Sequence, residues 1–329
     1  MQILLQILIA YLMTKKISFV LGLLLFIFCS QLFISSSFVK TSDNLHQQQF
    51  NNKYGVYSII KPKDLLFANE KCPSSSPEIF ERIDKELLKN TYWQSNTLLY
   101  FKRANKFFPI IEEILEENNI PDDFKYLALI ESGLENVFSP SGAAGFWQIM
   151  KGTGREYGLE VNYAIDERFN LEKSTRAACK YLQKAHDRFG SWTLAAASYN
   201  MGISGLKRKM KSQSTDNYYD LHLNNETSRY VFRILVVKEI LENPSKYGFV
   251  LRENDLYTFP EVDLIMVDST IADLNKFALS KDINYKILKQ FNPWLRVASL
   301  PDRSRRTYYI KIPRNKENLV FKNSTLENL

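Results

Sequence analysis

The sequence predicts a mainly α-helical protein followed by a small α+β module of β-α-α-β order. Apolar residues recur at helical spacing from Ile79, Phe80, Ile83 and Leu87 through Ile110, Ile111, Ile114 and Leu115. Strand signals are nearly absent until about residue 250. The character then changes after Lys246-Tyr247-Gly248: Leu264 to Val267 reads as a strand, Thr270 to Ser280 and Asn284 to Gln290 as short helices, and Tyr308 to Ile312 as a second strand ending at Pro313.

In chain order, residues 1–38 read as an export signal or a retained membrane anchor. Lys15 and Lys16 precede an apolar run from Ile17 to Ile34, followed by Ser35, Ser36 and Ser37, small residues suited to cleavage. The run also approaches the roughly 20 residues that span a bilayer. Met13 as the true start gives the lysine pair its usual position. Phe28, ahead of Cys29, argues against a lipoprotein signal. Residues 39–78 are polar, with Gln47 to Gln49, Asn51, Asn52 and Ser74 to Ser76, and read as a linker. Helical patterning then covers 79–250, and the α+β module occupies 251–329.

The richest stretch is ALIESGLENVFSPSGAAGFWQIM. Pro121, Asp122 and Asp123 supply a helix start, because proline fits the first turn and acidic side chains favour the positive end of the helix dipole. Tyr126, Leu127, Leu129 and Ile130 form an apolar face, so Glu131 emerges at the helix end beside hydrophobic neighbours. Such a carboxyl is partly desolvated, which raises its pKa and suits an acid that holds its proton near neutral pH. Ser139-Pro140-Ser141-Gly142 is turn chemistry, and Gly142, Ala144 and Gly145 permit close backbone approach to a ligand. Phe146 and Trp147 fit either the core or a sugar ring, while Gln148 offers an amide to hydroxyl or N-acetyl groups.

Two further segments carry polar groups on helices. AAASYNMGISGL, residues 195–206, combines close-packing alanines with Tyr199 and Asn200 near a helix end and Gly202 as its stop. NETSRYVFRIL begins with Asn225 as a cap, puts Glu226 in the first turn, and lays Tyr230, Val231, Ile234 and Leu235 on an apolar stripe.

Taken together, ES, GFWQ, SYNMG and ETSRYV, in this order and with YAIDERFNLEKSTRAACKYL between them, resemble the lytic transglycosylases with a goose-lysozyme-like fold, most closely the membrane-bound murein transglycosylase D group. The likeness covers roughly residues 95–245. It implies a lysozyme-like helical catalytic domain that cleaves the β-1,4 bond between N-acetylmuramic acid and N-acetylglucosamine in peptidoglycan strands. The implied chemistry is non-hydrolytic: a single glutamate protonates the departing oxygen, then takes a proton from the muramic C6 hydroxyl as that oxygen closes on C1. Ordinary glycosidases use two carboxylates.

Carried across, the resemblance makes Glu131 the catalytic residue. It makes Ser132, beside Glu131 in the ES element, a substrate-binding residue, and puts Ser139, Gln148 and Met150 in the muramic subsite. Tyr199 and Asn200 lie near the acid and the N-acetyl group, and Glu226 supports the site. Phe146 and Ser198 replace the family's usual leucine and alanine. Glu135, one turn beyond Glu131 in a continued helix, stays open as a second carboxylate. The C-terminal module resembles a LysM peptidoglycan-binding module, although VDSTIADL replaces the usual Gly-Asp-Thr-Leu entry and an Arg-rich insertion lies at 303–306. Glycan binding and packing on the helical domain are both open roles for it.

Composition narrows the rest. The chain has 329 residues, a formal net charge of +7, 12 glycines and 11 prolines, which bounds it to one or two domains with real cores. A mildly basic exported enzyme would be drawn to the carboxylates of peptidoglycan peptides. KRKMK at 207–211 reads as a solvated loop, and no nucleic-acid motif accompanies it. Histidines at 46, 186 and 222 have no metal-ligand spacing, so neither a metal nor a cofactor is expected. Once the signal is removed, Cys72 and Cys179 remain, and an exported pair can form a disulfide only if the fold brings them together. A catalytically silent peptidoglycan scaffold and a lysozyme-type hydrolase are the alternatives to the lyase. The envelope, most readily the periplasm, is the expected location, and the oligomeric state is left open.

Overall fold

A computed structural model describes residues 41–52, 57–301 and 306–316, with the single positions 13, 30 and 319. The expected export segment 1–38, apart from Met13 and Ser30, and positions 303–305 of the Arg-rich insertion lie outside the described residues. Two units are distinguished, 1–58 and 59–329. The first carries helix α1, Thr41–Asn52, a polar segment that exposes Leu45 and Phe50. Among the described residues, no helix is long and apolar enough to cross a membrane.

The second unit opens with a hairpin, β1 Leu66–Phe67 and β2 Glu70–Lys71. This corrects the reading of 39–78 as linker throughout. Leu65, Phe67 and Cys72 are buried in the main core, and the Phe67 ring meets Phe124 edge-on at 5.1 Å. The turn is made by Ala68 and Asn69, both with positive φ, a conformation asparagine tolerates. Polar flanks mask these few apolar residues in the sequence.

Between the hairpin and the C-terminal module the chain is organised by helices α2 Pro77–Tyr92, α3 Gln94–Glu117, α4 Phe124–Ser132, α5 Lys151–Glu156, α6 Leu171–Phe189, α7 Trp192–Met201, α8 Ile203–Gln213 and α9 Asn225–Glu242. Helix α9 lies at the centre: Tyr230, Val231, Phe232, Ile234, Leu235, Val236 and Val237 are all buried, and the helix packs on α2, α4 and α7. Burial on nearly every side explains why its sequence shows only a weak polar face. Asn224 caps it, accepting from the Thr227 amide at 2.8 Å, so the cap falls one residue before the Asn225 expected. The KRKMK segment is helical, on α8, and is corrected from a loop. Gly202 stops α7, but the chain restarts at once, with Leu206 and Met210 four residues apart turned to the core.

Glu70 closes the N-terminus of α7. Its carboxylate accepts from the Trp192 amide at 2.6 Å, the Thr193 amide at 2.9 Å and the Ser191 hydroxyl at 2.7 Å. Burial works to raise its pKa, but these hydrogen bonds outweigh it and hold the carboxyl below its usual value.

The C-terminal module contains β3 Val262–Val267, α10 Leu274–Leu279, α11 Tyr285–Phe291 and β4 Tyr308–Pro313. This is the expected β-α-α-β order. The strands pair antiparallel from Val262↔Pro313 to Val267↔Tyr308. Asp273 and Asn284 cap the two helices. Asn292 is fully buried and donates to the Lys311 carbonyl while accepting from the Lys311 amide, each at 2.8 Å, which ties the end of α11 to β4. Trp294 stacks on Tyr308 in the module's core. That core also takes in Ala144, Ala164, Ile165 and Phe169 from the helical region, so the module packs on it. Cys72 and Cys179 are both buried and unbonded.

Candidate active site

The site is built where α4 ends. Phe124 and residues 126–130 are all buried, so the helix is anchored on its apolar side, and Gly133 closes it in the left-handed conformation. The helix begins at Phe124, with Pro121 to Asp123 in the preceding turn rather than in its first turn. Asp123 instead accepts from the Ala68 amide and from Lys238, each at 2.7 Å, fixing α4 to the hairpin and to α9.

At the other end, Glu131 is held by Tyr230, whose hydroxyl donates to its carboxylate. Burial pushes the Glu131 carboxyl up to about 7. The Tyr230 hydrogen bond and the Arg233 guanidinium oppose that rise, and the charge of Glu226 adds to it. Arg233 also donates to the Ile130 carbonyl at 2.8 Å, at the negative end of the α4 dipole. Burial raises the Tyr230 and Tyr199 hydroxyls well above their usual value, so both remain neutral donors. Glu135 does not join Glu131. With α4 ended at Ser132, Glu135 pairs with Arg103 at the surface.

The Gly-rich loop is pinned from several directions. Ser132 donates to the Phe146 carbonyl at 2.8 Å, and Tyr199 donates to the Trp147 carbonyl at 2.8 Å. Ser139 organises the turn, accepting from the Ala143 amide at 3.0 Å. Gln148 adopts a positive φ of 45° and donates through its amide to the Gly145 carbonyl at 2.8 Å and the Val137 carbonyl at 3.1 Å. The Gln148 N–H groups are therefore committed to the loop, and its amide oxygen is the end left for a ligand. Met150 is exposed at the start of α5. Phe146 and Trp147, for which core and sugar stacking were both open, are core: Phe146 packs edge-on against Phe107 at 4.8 Å, and the fully buried Trp147 donates to Thr175 at 2.9 Å.

Asn200 and Glu226 form one unit across α7 and α9. The Asn200 amide donates to Glu226 at 2.8 Å, and its oxygen accepts from Thr227 at 2.7 Å. Two functional supports escape a reading of the sequence. Tyr230 shows there only as part of an apolar stripe, although its position four residues after Glu226 places both on one helix face. Arg168 is buried against Asp166 and donates to the Gly142 and Ile149 carbonyls at 2.9 and 3.0 Å, bracing the loop from beneath. A charged pair inside a fold leaves little trace in a hydropathy pattern. Among the described residues, no group of three or more His, Cys, Asp or Glu side chains is placed to hold a metal.

The helix-end carboxyl, the pinned Gly-rich loop and the Tyr-Asn pair all lie within a stretch that matches a known domain. Residues 108–221 match the transglycosylase SLT domain, and residues 263–316 match the soluble lytic transglycosylase C-terminal LysM-like domain. The chain carries these two matched domains in that order. It is 31% identical over 255 residues to membrane-bound lytic murein transglycosylase D of Escherichia coli strain K12, covering 74% of this chain and 54% of that protein. The same figures hold for the protein of that name from E. coli O6:H1. The chain thus spans about half the length of the curated relatives it matches. A solved structure of an inactive mutant of the lytic transglycosylase Slt from Pseudomonas aeruginosa overlaps 47% of this chain and 26% of its own, at 18% identity and a TM-score of 0.33.

Proposed function

We propose that the chain is a peptidoglycan lytic transglycosylase that cleaves the bond between N-acetylmuramic acid and N-acetylglucosamine without water. The observation that carries this reading is the Glu131 carboxyl, desolvated at the end of α4 with its pKa pushed up to about 7. Near neutral pH it holds a proton in a large share of molecules, and loses it readily once the proton has been used. Glu131 donates that proton to the glycosidic oxygen as its bond to the muramic C1 breaks. The resulting carboxylate takes the proton of the C6 hydroxyl, whose oxygen bonds to C1 and leaves a 1,6-anhydro end. The substrate's N-acetyl group assists.

In this reading Ser139, Gln148 and Met150 line the muramic subsite, with the Gln148 amide oxygen accepting from the sugar. Tyr199 and Asn200 lie near the N-acetyl group. Glu226, held by Asn200, raises the Glu131 pKa by its charge and takes no proton itself. Ser132 fixes the loop against α4. The catalytic portion covers about 79–250 together with the hairpin before it, and 251–329 forms the LysM-like portion. Residues 1–38 direct the enzyme to the cell envelope, as a cleaved signal or an anchor. The matched SLT domain and the names of the relatives support the activity.

Mass spectrometry of muropeptides released by the purified protein tests the reading. Anhydro ends are expected; reducing ends identify a hydrolase, and no release identifies a glycan-binding scaffold. Glu131→Gln keeps the shape and removes the transferable proton, so it should abolish release while the fold persists.

A further inference from the structure

A second cleft, of about 100 Å³, opens between the helical region and the C-terminal module. Its walls include Lys106, Phe107, Phe146 and Asn136 on one side and Phe259 and Gln290 on the other. Two of its lining residues belong to the segment that follows α4. Phe146 faces this cleft while its carbonyl accepts from Ser132, and Asn136 lies five residues after Glu131.

The charges in this cleft are unbalanced. Lys311 is paired with Glu172, so those two cancel. Lys106 has no carboxylate partner among the described residues; its ammonium lies 5.1 Å from the Phe107 ring centroid and 5.7 Å from that of Phe259. Burial among these rings lowers its pKa, the mark of a cation that has lost water without gaining a counterion. The amides of Asn136 and Gln290 add donors and acceptors suited to a peptide backbone.

We infer that this cleft binds the peptide stem of peptidoglycan, with a stem carboxylate on Lys106 and the aromatic walls against its side chains. The inference rests on the proposed action on peptidoglycan and adds the substrate feature that this enzyme reads. The C-terminal module then contributes one wall of a substrate site.

The test compares release from intact peptidoglycan with release from glycan stripped of its peptides by an amidase, for the full chain and for Lys106→Gln. A charge-assisted contact of this kind is worth about tenfold in affinity. Lys106→Gln is therefore expected to lower the ratio of kcat/KM on peptide-bearing over stripped glycan by about tenfold, through KM with kcat held. Lys106→Arg should restore the ratio. A ratio unaltered by Lys106→Gln, or an equal loss on both substrates, overturns the inference while leaving the transglycosylase reading intact. Failure of the parent protein to cleave either substrate defeats that reading, and this inference with it.

Discussion

Replacing Glu131 with Gln should stabilise the protein at pH 8 and leave its stability nearly unaltered at pH 4. The folded-state pKa near 7 lies above the ordinary glutamate value of 4.5, so the unfolded chain gives up this proton first as pH rises. The stability contributed by the protonated carboxyl is therefore complete below 4.5 and is lost as pH climbs to about 7. At about 1.4 kcal/mol per pH unit, that interval sets a ceiling of roughly 3 kcal/mol. Partial water access and relaxation of the Tyr230 contact reduce the expected gain to about 2 kcal/mol. Gln keeps an acceptor for the Tyr230 hydroxyl and removes only the ionisation. Urea unfolding of parent and variant at pH 4, 6 and 8, followed by tryptophan fluorescence, measures the difference. Two curves that stay parallel across that range would refute the claim that Glu131 is desolvated.

The same pKa sets the pH dependence of catalysis: kcat/KM should fall above about pH 7 as Glu131 loses its proton. Tyr230→Phe removes a hydrogen bond that favours the carboxylate, so this alkaline limb should move to higher pH, with turnover lowered about 10- to 100-fold by the looser carboxyl; a limb that stays in place argues against the contact. Gly145→Ala should destabilise the fold by more than about 3 kcal/mol, because the residue has φ +78° and the added methyl would lie 1.9 Å from the Arg168 carbonyl oxygen. Thermal denaturation reads this directly, and an unchanged Tm contradicts it.

Local rules made much of this molecule legible. The 3.6-residue period located α2 and α3, Gly202 ended α7, and the β-α-α-β pattern emerged within a few residues of its true bounds. Glu131 was visible because an apolar helix face delivers it to a Gly-rich turn. What stayed hidden depends on distant pairing. Phe67 is one apolar residue in a polar stretch and finds its partner, Phe124, 57 positions later. Glu70 is an ordinary surface acid until Ser191 and Trp192 come to meet it. Tyr230 looks like core until its hydroxyl is seen to reach across 99 positions to Glu131. Gln148 is legible as an amide near the site, but nothing local shows that the loop carbonyls of Val137 and Gly145 take its side-chain N–H groups.

A short antiparallel bridge joins Ala164, Ile165 and Asp166 to Trp294, Leu295 and Arg296, through the Asp166 amide on the Trp294 carbonyl at 2.9 Å and the Arg296 amide on the Ala164 carbonyl at 2.8 Å. Two residues on, Arg168 donates to the Gly142 and Ile149 carbonyls of the loop that follows α4. The C-terminal module thereby underpins the loop that follows α4, and cutting the chain near residue 255 would bare Ile165 and Phe169 and slacken the mount of that loop. Any retention on cell-wall material is better tested with surface substitutions that leave this staple whole, since a deletion would disturb both portions of the chain at once.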